Sequence, residues 1–314
     1  MALRIVDLLG RPVKTVADFD RVRGEVTVLD VTRSGPFRLK ATDLGRQLEI
    51  VAQREQQAVE RDWSSSFTRD VLECMEESRE RDAEERAEKS ARAAAQRAKK
   101  RVRQLSKVNG VDTLLTGTYR ANETDLARVK ADVKEFNRRV VRVLPQFGMI
   151  VAFEPQARGA WHFHAATCRI PRVVEVRKGA QVHRFKSYDL LRSIWRSVTK
   201  ERGGNIDVAR TKGKDRSAAR IASYIAKYAT KAFAEGEKWS NRWTKFGFTD
   251  VPKPVDLGRW ENARDVIAAA YELVPDAASI VSGMWSRFGD WLFVASEHAG
   301  GVGGALARDG GVRV

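Results

Sequence analysis

Between residues 110 and 235 the spacing of apolar residues switches back and forth between two and three-to-four, and this alternation leaves few folds open. Residues 111–118 (VDTLLTGT) have strand character. Asn122 can cap a helix in which Leu126, Val129, Val133, Phe136, Val140 and Leu144 recur at helical spacing. Residues 147–154 (FGMIVAFE) and 161–168 (WHFHAATC) read as two strands around a short loop holding Arg158 and Gly159. Ser187 can cap a second helix carrying Leu191, Ile194, Trp195 and Val198. Gly203 and Gly204 stop it, 205–209 reads as a strand, and a last helix is expected over about 217–233. The order βαββαβ, then α, is that of an α+β, ferredoxin-like split βαβ domain: an antiparallel sheet with helices on one face.

The flanks read differently. Residues 1–50 mix short apolar runs with turn signals such as Ser34, Gly35 and Pro36, and suggest a small mixed α/β piece. Residues 51–107 contain neither Gly nor Pro and predict a long charged helical segment, a helical N-terminal extension to the domain at 108–235. Residues 236–298 predict a basic, Trp-containing and helical C-terminal segment, with helices near 261–273 and 277–294. The Gly-rich stretch 299–314 predicts a disordered tail.

Charge narrows the partners. The chain carries 57 Lys+Arg against 41 Asp+Glu, a net +16, and residues 179–260 hold 18 basic and 8 acidic side chains. Such concentrated positive potential favours a polyanion, most often nucleic acid. Two cysteines, Cys74 and Cys168, exclude a disulfide scaffold and a four-thiolate zinc site. There is no apolar run of about 18 residues and no secretory leader in the first residues, so the expectation is a soluble, cytoplasmic protein without a membrane partner.

Two constellations could carry chemistry. On a strand, His162 and His164 point to one face while Phe163 turns to the other. If the hairpin centres near Arg158 or Gly159, Glu154 faces one of these histidines across the ladder. Two imidazoles and a carboxylate with open coordination positions suit Mg²⁺ or Mn²⁺ better than structural zinc. The last helix places Tyr224, Lys227, Tyr228 and Lys231 on one stripe, beside an apolar stripe of Ile221, Ile225 and Ala229. Taken alone, the two phenols could be ordinary half-buried tyrosines, because a free phenol with a pKa near 10 is a poor nucleophile.

Together, Glu154, Gly159-Ala-Trp-His162-Phe-His164 and Tyr224-Ile-Ala-Lys-Tyr228-Ala-Thr-Lys231, after a first-strand motif Leu114-Leu-Thr-Gly-Thr-Tyr119, resemble the HUH (His-hydrophobic-His) endonucleases. The likeness is to the two-tyrosine rolling-circle replication initiators of bacterial plasmids and single-stranded DNA phages, and it covers about residues 110–235. The resemblance implies a metal-dependent DNA nickase and strand transferase. A tyrosine would attack a phosphate in single-stranded origin DNA, leaving a 5′-phosphotyrosine and a free 3′-OH, and the strand would later be rejoined. It implies Tyr224 and Tyr228 as nucleophiles, Lys227 as a phosphate or phenolate partner, and Asp207 as a supporting residue behind the metal ligands. Lys212, Lys214, Arg220, Lys231, Trp239 and Trp243 would line the DNA groove. The implied partners are single-stranded DNA, origin duplex DNA, and a bacterial host's helicase and polymerase. The alternatives are a transposase or relaxase of the same chemistry, and a DNA-binding protein on this fold that does not cut.

Overall fold

The computed structural model describes residues 13–20, 25–60, 68–156, 158–168, 170–210, 221–228, 242–274 and 279–297. The chain divides into two compact units, one formed by residues 87–251 and the other by residues 1–86 with 252–314. Both are α+β with antiparallel sheets.

In residues 87–251 the described elements are the C-terminal part of α1 (Thr68–Val108), β6 (Thr113–Thr118), α2 (Leu126–Val143), β7 (Met149–Pro155), β8 (Trp161–Thr167), β9 (Val173–Lys178), β10 (Gln181–Lys186), α3 (Ser187–Thr199), β11 (Asn205–Arg210), α4 (221–228) and β12 (Trp243–Phe246). Five strands form one sheet in the order β11-β6-β8-β7-β12. One face packs Leu115, Val151, Phe153, Phe163, Ala165 and Ile206 against Val129, Val133, Phe136 and Val140 of α2 and Leu191, Trp195 and Val198 of α3. Trp195 stands edge-on to Tyr119, Phe136 and Phe163, with ring centres 5.2–5.7 Å apart. Gly117 makes this packing possible: a Cβ there would lie 2.0 Å from Phe163 Cε1.

A buried polar network ties the end of β6 to α2. Tyr119 Oη donates to Asp132 Oδ2 at 2.7 Å, and Arg202 donates to both Asp132 oxygens at 2.6 and 2.9 Å and to Glu123 at 2.9 Å. Burial and the adjacent Asp132 carboxylate push the Tyr119 phenol well above its ordinary value.

Helix starts differ from the sequence expectation. Asp125, not Asn122, caps α2, accepting from the Ala127 and Arg128 amides. Ser187 opens α3 but does not cap it, because β10 runs directly into the helix and the Ser187 amide donates to the Arg172 carbonyl. The β9–β10 hairpin was not expected; its two-residue turn has Gly179 at φ 62°. Of the helix expected at 217–233, residues 221–228 are helical and the others lie outside the described residues.

The second unit corrects the reading of both flanks. It contains β1 (Lys14–Asp20), β2 (Glu25–Thr32), β3 (Phe37–Asp43), β4 (Gln47–Arg54), β5 (Gln57–Glu60), β13 (Val255–Trp260), α5 (Ala263–Glu272), β14 (Ile280–Trp285) and β15 (Trp291–Glu297). Among the described residues, 1–50 therefore holds strands and no helix, and the long helix begins at Thr68, not at 51. The 236–298 segment carries four strands and one helix, so the helix expected at 277–294 is instead a β14–β15 hairpin. The Ser286 hydroxyl accepts from the Asp290 and Trp291 amides and holds its turn. Chain order misled here: the sheet runs β13-β3-β4-β15-β14, so N-terminal strands pair with C-terminal ones more than 200 residues away. Phe37, Leu39, Ile50, Ala52, Leu292 and Val294 on this sheet bury Val266 and Ala270 of α5. The tail at 299–314 lies outside the described residues.

Candidate metal and tyrosine site

The face of the five-stranded sheet opposite α2 and α3 carries the candidate site. β7 and β8 pair with Glu154 directly opposite His162 and Ala152 opposite His164, a register centred on residue 158. Phe163 turns to the core, so the two imidazoles project together on the other side. The three side chains are almost fully buried and their ligand atoms cluster. Both imidazole Nε2 atoms lie 3.1 Å from the same Glu154 Oε2 and 2.9 Å from each other.

These spacings match a metal-ligating set. Around a six-coordinate ion with bonds of about 2.1 Å, adjacent ligands sit about 3.0 Å apart, which is √2 times the bond length. The three atoms therefore outline one triangular face of an octahedron and leave the opposite face open. Burial, followed by the neighbouring His162, holds the His164 pKa below its ordinary value, while Glu154 acts in the opposite direction. The imidazole is then neutral, as a ligand must be, and its contact with Glu154 is a hydrogen bond, not an ion pair. Thr116 Oγ1 stands 3.2 Å from His164 Nδ1 and can fix the ring with Nε2 turned to the triad. Sequence reasoning missed Thr116, since only the β6–β8 register sets it opposite His164.

Helix α4 brings the phenols to the same place. The Tyr228 ring stacks on His164 with centres 4.0 Å apart and planes 27° apart. The Tyr224 ring lies edge-on to His164 at 6.2 Å, and Tyr228 Oη donates to Tyr224 Oη at 3.0 Å. Ile221, Ala222, Ile225 and Ala226 are buried, whereas Tyr224 is 40% exposed and Tyr228 half-buried. Burial, the bond to Tyr224 and the negative charge of Glu154 raise the Tyr228 pKa, so its phenol is un-ionised at neutral pH.

The remaining expected residues divide. Lys227 is exposed on α4. Asp207 pairs with Thr116, which pairs with His164, so Asp207 lies exposed on the triad's face two strands away. Trp243 pairs with Ala152, which pairs with His164, and so ends the same cross-strand row on its other side. Lys212, Lys214, Arg220, Lys231 and Trp239 lie outside the described residues.

Comparison with known proteins adds one finding. Residues 112–233, about two fifths of the chain, match the model of the replication-associated protein family named for ORF2 and the gene 2 protein. No curated protein and no solved structure matches the chain. Among the described residues, no helix is long and apolar enough to cross a membrane. The family match supports a role in DNA replication, and it spans every residue of the triad and both tyrosines.

Proposed function

We propose that this protein is a replication initiator of the HUH type, which nicks a specific single-stranded site in an origin and later rejoins the strand. The observation that carries this reading is the His162–His164–Glu154 triangle with two hydrogen-bonded phenols against it. Binding alone would need neither. The element order βαββαβ and the sheet order β11-β6-β8-β7 support a ferredoxin-like split βαβ for the nuclease domain at 108–235.

His162, His164 and Glu154 would hold Mg²⁺ or Mn²⁺, with Thr116 fixing His164. When bound, such an ion supplies Lewis-acid polarisation of a phosphodiester oxygen and neutralises developing charge. Tyr224 or Tyr228 Oη would attack phosphorus. The bond from phosphorus to the 3′ oxygen breaks, that oxygen takes up a proton as a free 3′-OH, and a 5′-phosphotyrosine remains. Rejoining is the same exchange run backwards and needs no nucleotide cofactor. With one phenol holding a 5′ end, the second is free for another cut. Lys227 would pair with phosphate or phenolate, Asp207 would support the ligand face, and Trp243 could stack a base at the sheet's far edge. Lys212, Lys214, Arg220, Lys231 and Trp239 would extend the groove. Origin duplex and a bacterial host's helicase and polymerase are the partners this chemistry requires, in the host cytoplasm and on a plasmid or phage genome.

The test is a denaturing gel of protein with labelled origin single strands, with and without Mn²⁺. The expected result is a metal-dependent protein–DNA band that the Tyr224→Phe/Tyr228→Phe double variant does not form. Retarded complexes on native gels without a nick or covalent band under any metal would end the nuclease reading.

A further inference from the structure

A second cluster of charge lies where α3, the turn after it and the start of β11 meet the end of β6. A cleft of about 470 Å³ there is lined by Arg120, Arg196, Lys200, Gly203, Gly204 and Asn205, and no acidic side chain lines it. Among the described residues none of its three cations makes an ion pair, whereas their neighbour Arg202 is tied to Asp132 and Glu123. Arg196 uses only Nε, on the Gly204 carbonyl at 3.3 Å.

The backbone is shaped to hold these charges. Lys200 adopts φ 51° and ψ −124°, a conformation costly for a residue with a side chain. Gly203, at φ 62°, lies under Arg120, and a Cβ there would come 3.1 Å from Arg120 Nε. A Cβ on Gly204 would lie 2.4 Å from the Thr118 carbonyl oxygen. Three unneutralised cations gathered on a strained turn repel one another, and an anion relieves that repulsion.

Position says which anion. Asn205 pairs with Thr118, and two residues earlier on β6 Thr116 pairs with His164. Thr118 and Thr116 share a face. With strands about 4.8 Å apart, the cleft edge lies about 10 Å across the sheet from the histidines. A strand lying over the sheet with its phosphate at the triad would pass this corner.

We propose that this cleft is a phosphate subsite for single-stranded DNA, gripping backbone phosphates beside the bond that is cut. The identity of the strand rests on the nuclease reading; the cations and their geometry do not.

The test is fluorescence anisotropy of a labelled oligothymidylate, titrated at several KCl concentrations in EDTA. It is run in the Tyr224→Phe/Tyr228→Phe background, so that cleavage plays no part. Against that background we compare Arg120→Gln, Lys200→Gly and the pair. Each lost phosphate contact should weaken binding and flatten the slope of log affinity against log salt by about 0.7. Lys200→Gly removes the charge while relaxing the positive φ, so its melting temperature should hold or rise; weaker binding then cannot come from unfolding. Unchanged slopes in all three variants would overturn the subsite. The covalent-band assay reports separately: flattened slopes without a band would leave the cleft standing and remove the nuclease reading, and a band with unchanged slopes would do the reverse.

Discussion

The His164 imidazole is held from two sides, by Thr116 Oγ1 at Nδ1 and by the Glu154–His162 pair at Nε2. At the scale of single residues this makes a graded prediction for metal binding. His164→Ala should abolish Mn²⁺ uptake measured by calorimetry. Thr116→Val, which keeps the shape but drops the hydroxyl, should weaken it by about 10- to 100-fold. The buried Tyr119–Asp132–Arg202–Glu123 network predicts stability instead. Asp132→Ala leaves Arg202 without its bidentate partner and should cost about 3 kcal/mol in urea unfolding. Tyr119 adds a pH dependence. Its folded pKa is raised, so its contribution is fully present below pH 10 and is lost as pH rises above it, where only the unfolded chain gives up the proton. The urea midpoint should fall between pH 8 and pH 10.5 in the wild type, and by less in Tyr119→Phe. The His-x-His pair was legible because a strand's period of two admits only one arrangement of side chains, and Glu154 because a hairpin centred at 158 puts it opposite His162. Thr116 and Asp132 were not, because each acts through a partner on another element.

Elements followed their patterns where the chain pairs locally. The apolar spacing of α2, β7 and β8 appears in the fold within a residue or two, and the apolar stripe of α4 is buried as spaced at Ile221 and Ile225. Caps were less legible: Asn122 and Asp125 are both capping types three residues apart, and which one closes the first turn depends on where β6 hands over the chain. The β9–β10 hairpin carried a readable turn signal in Lys178-Gly179, yet both strands are largely exposed and lack the alternation that marks a half-buried strand. Contact between elements also fixes a side chain that pattern leaves free. Gly117→Ala would drive a methyl into the Phe163 ring and should destabilise residues 87–251 by about 1–3 kcal/mol. A second substitution, Phe163→Leu, should recover part of that loss in the same urea assay.

For the whole molecule, the decisive feature is that one unit is assembled from both ends of the sequence. Residues 87–251 carry their own core and should unfold cooperatively when expressed alone, followed by circular dichroism. Residues 1–86 alone should not fold. Without β13 and β15, β3 and β4 lose both flanking strands, and without α5 they lose the helix that buries their apolar face. By itself the sequence determined the local order of elements between 110 and 235, the common face of His162 and His164, the stripe holding Tyr224 and Tyr228, and the basic character of the chain. Each follows from periodicity or counting, which act over a few residues. Only the tertiary structure decided that the flanks join into one sheet, that α4 lays its phenols on the histidines, and that Arg120, Arg196 and Lys200 meet. Those contacts span tens to hundreds of residues, and what selects them is the burial of apolar faces, which no local pattern encodes.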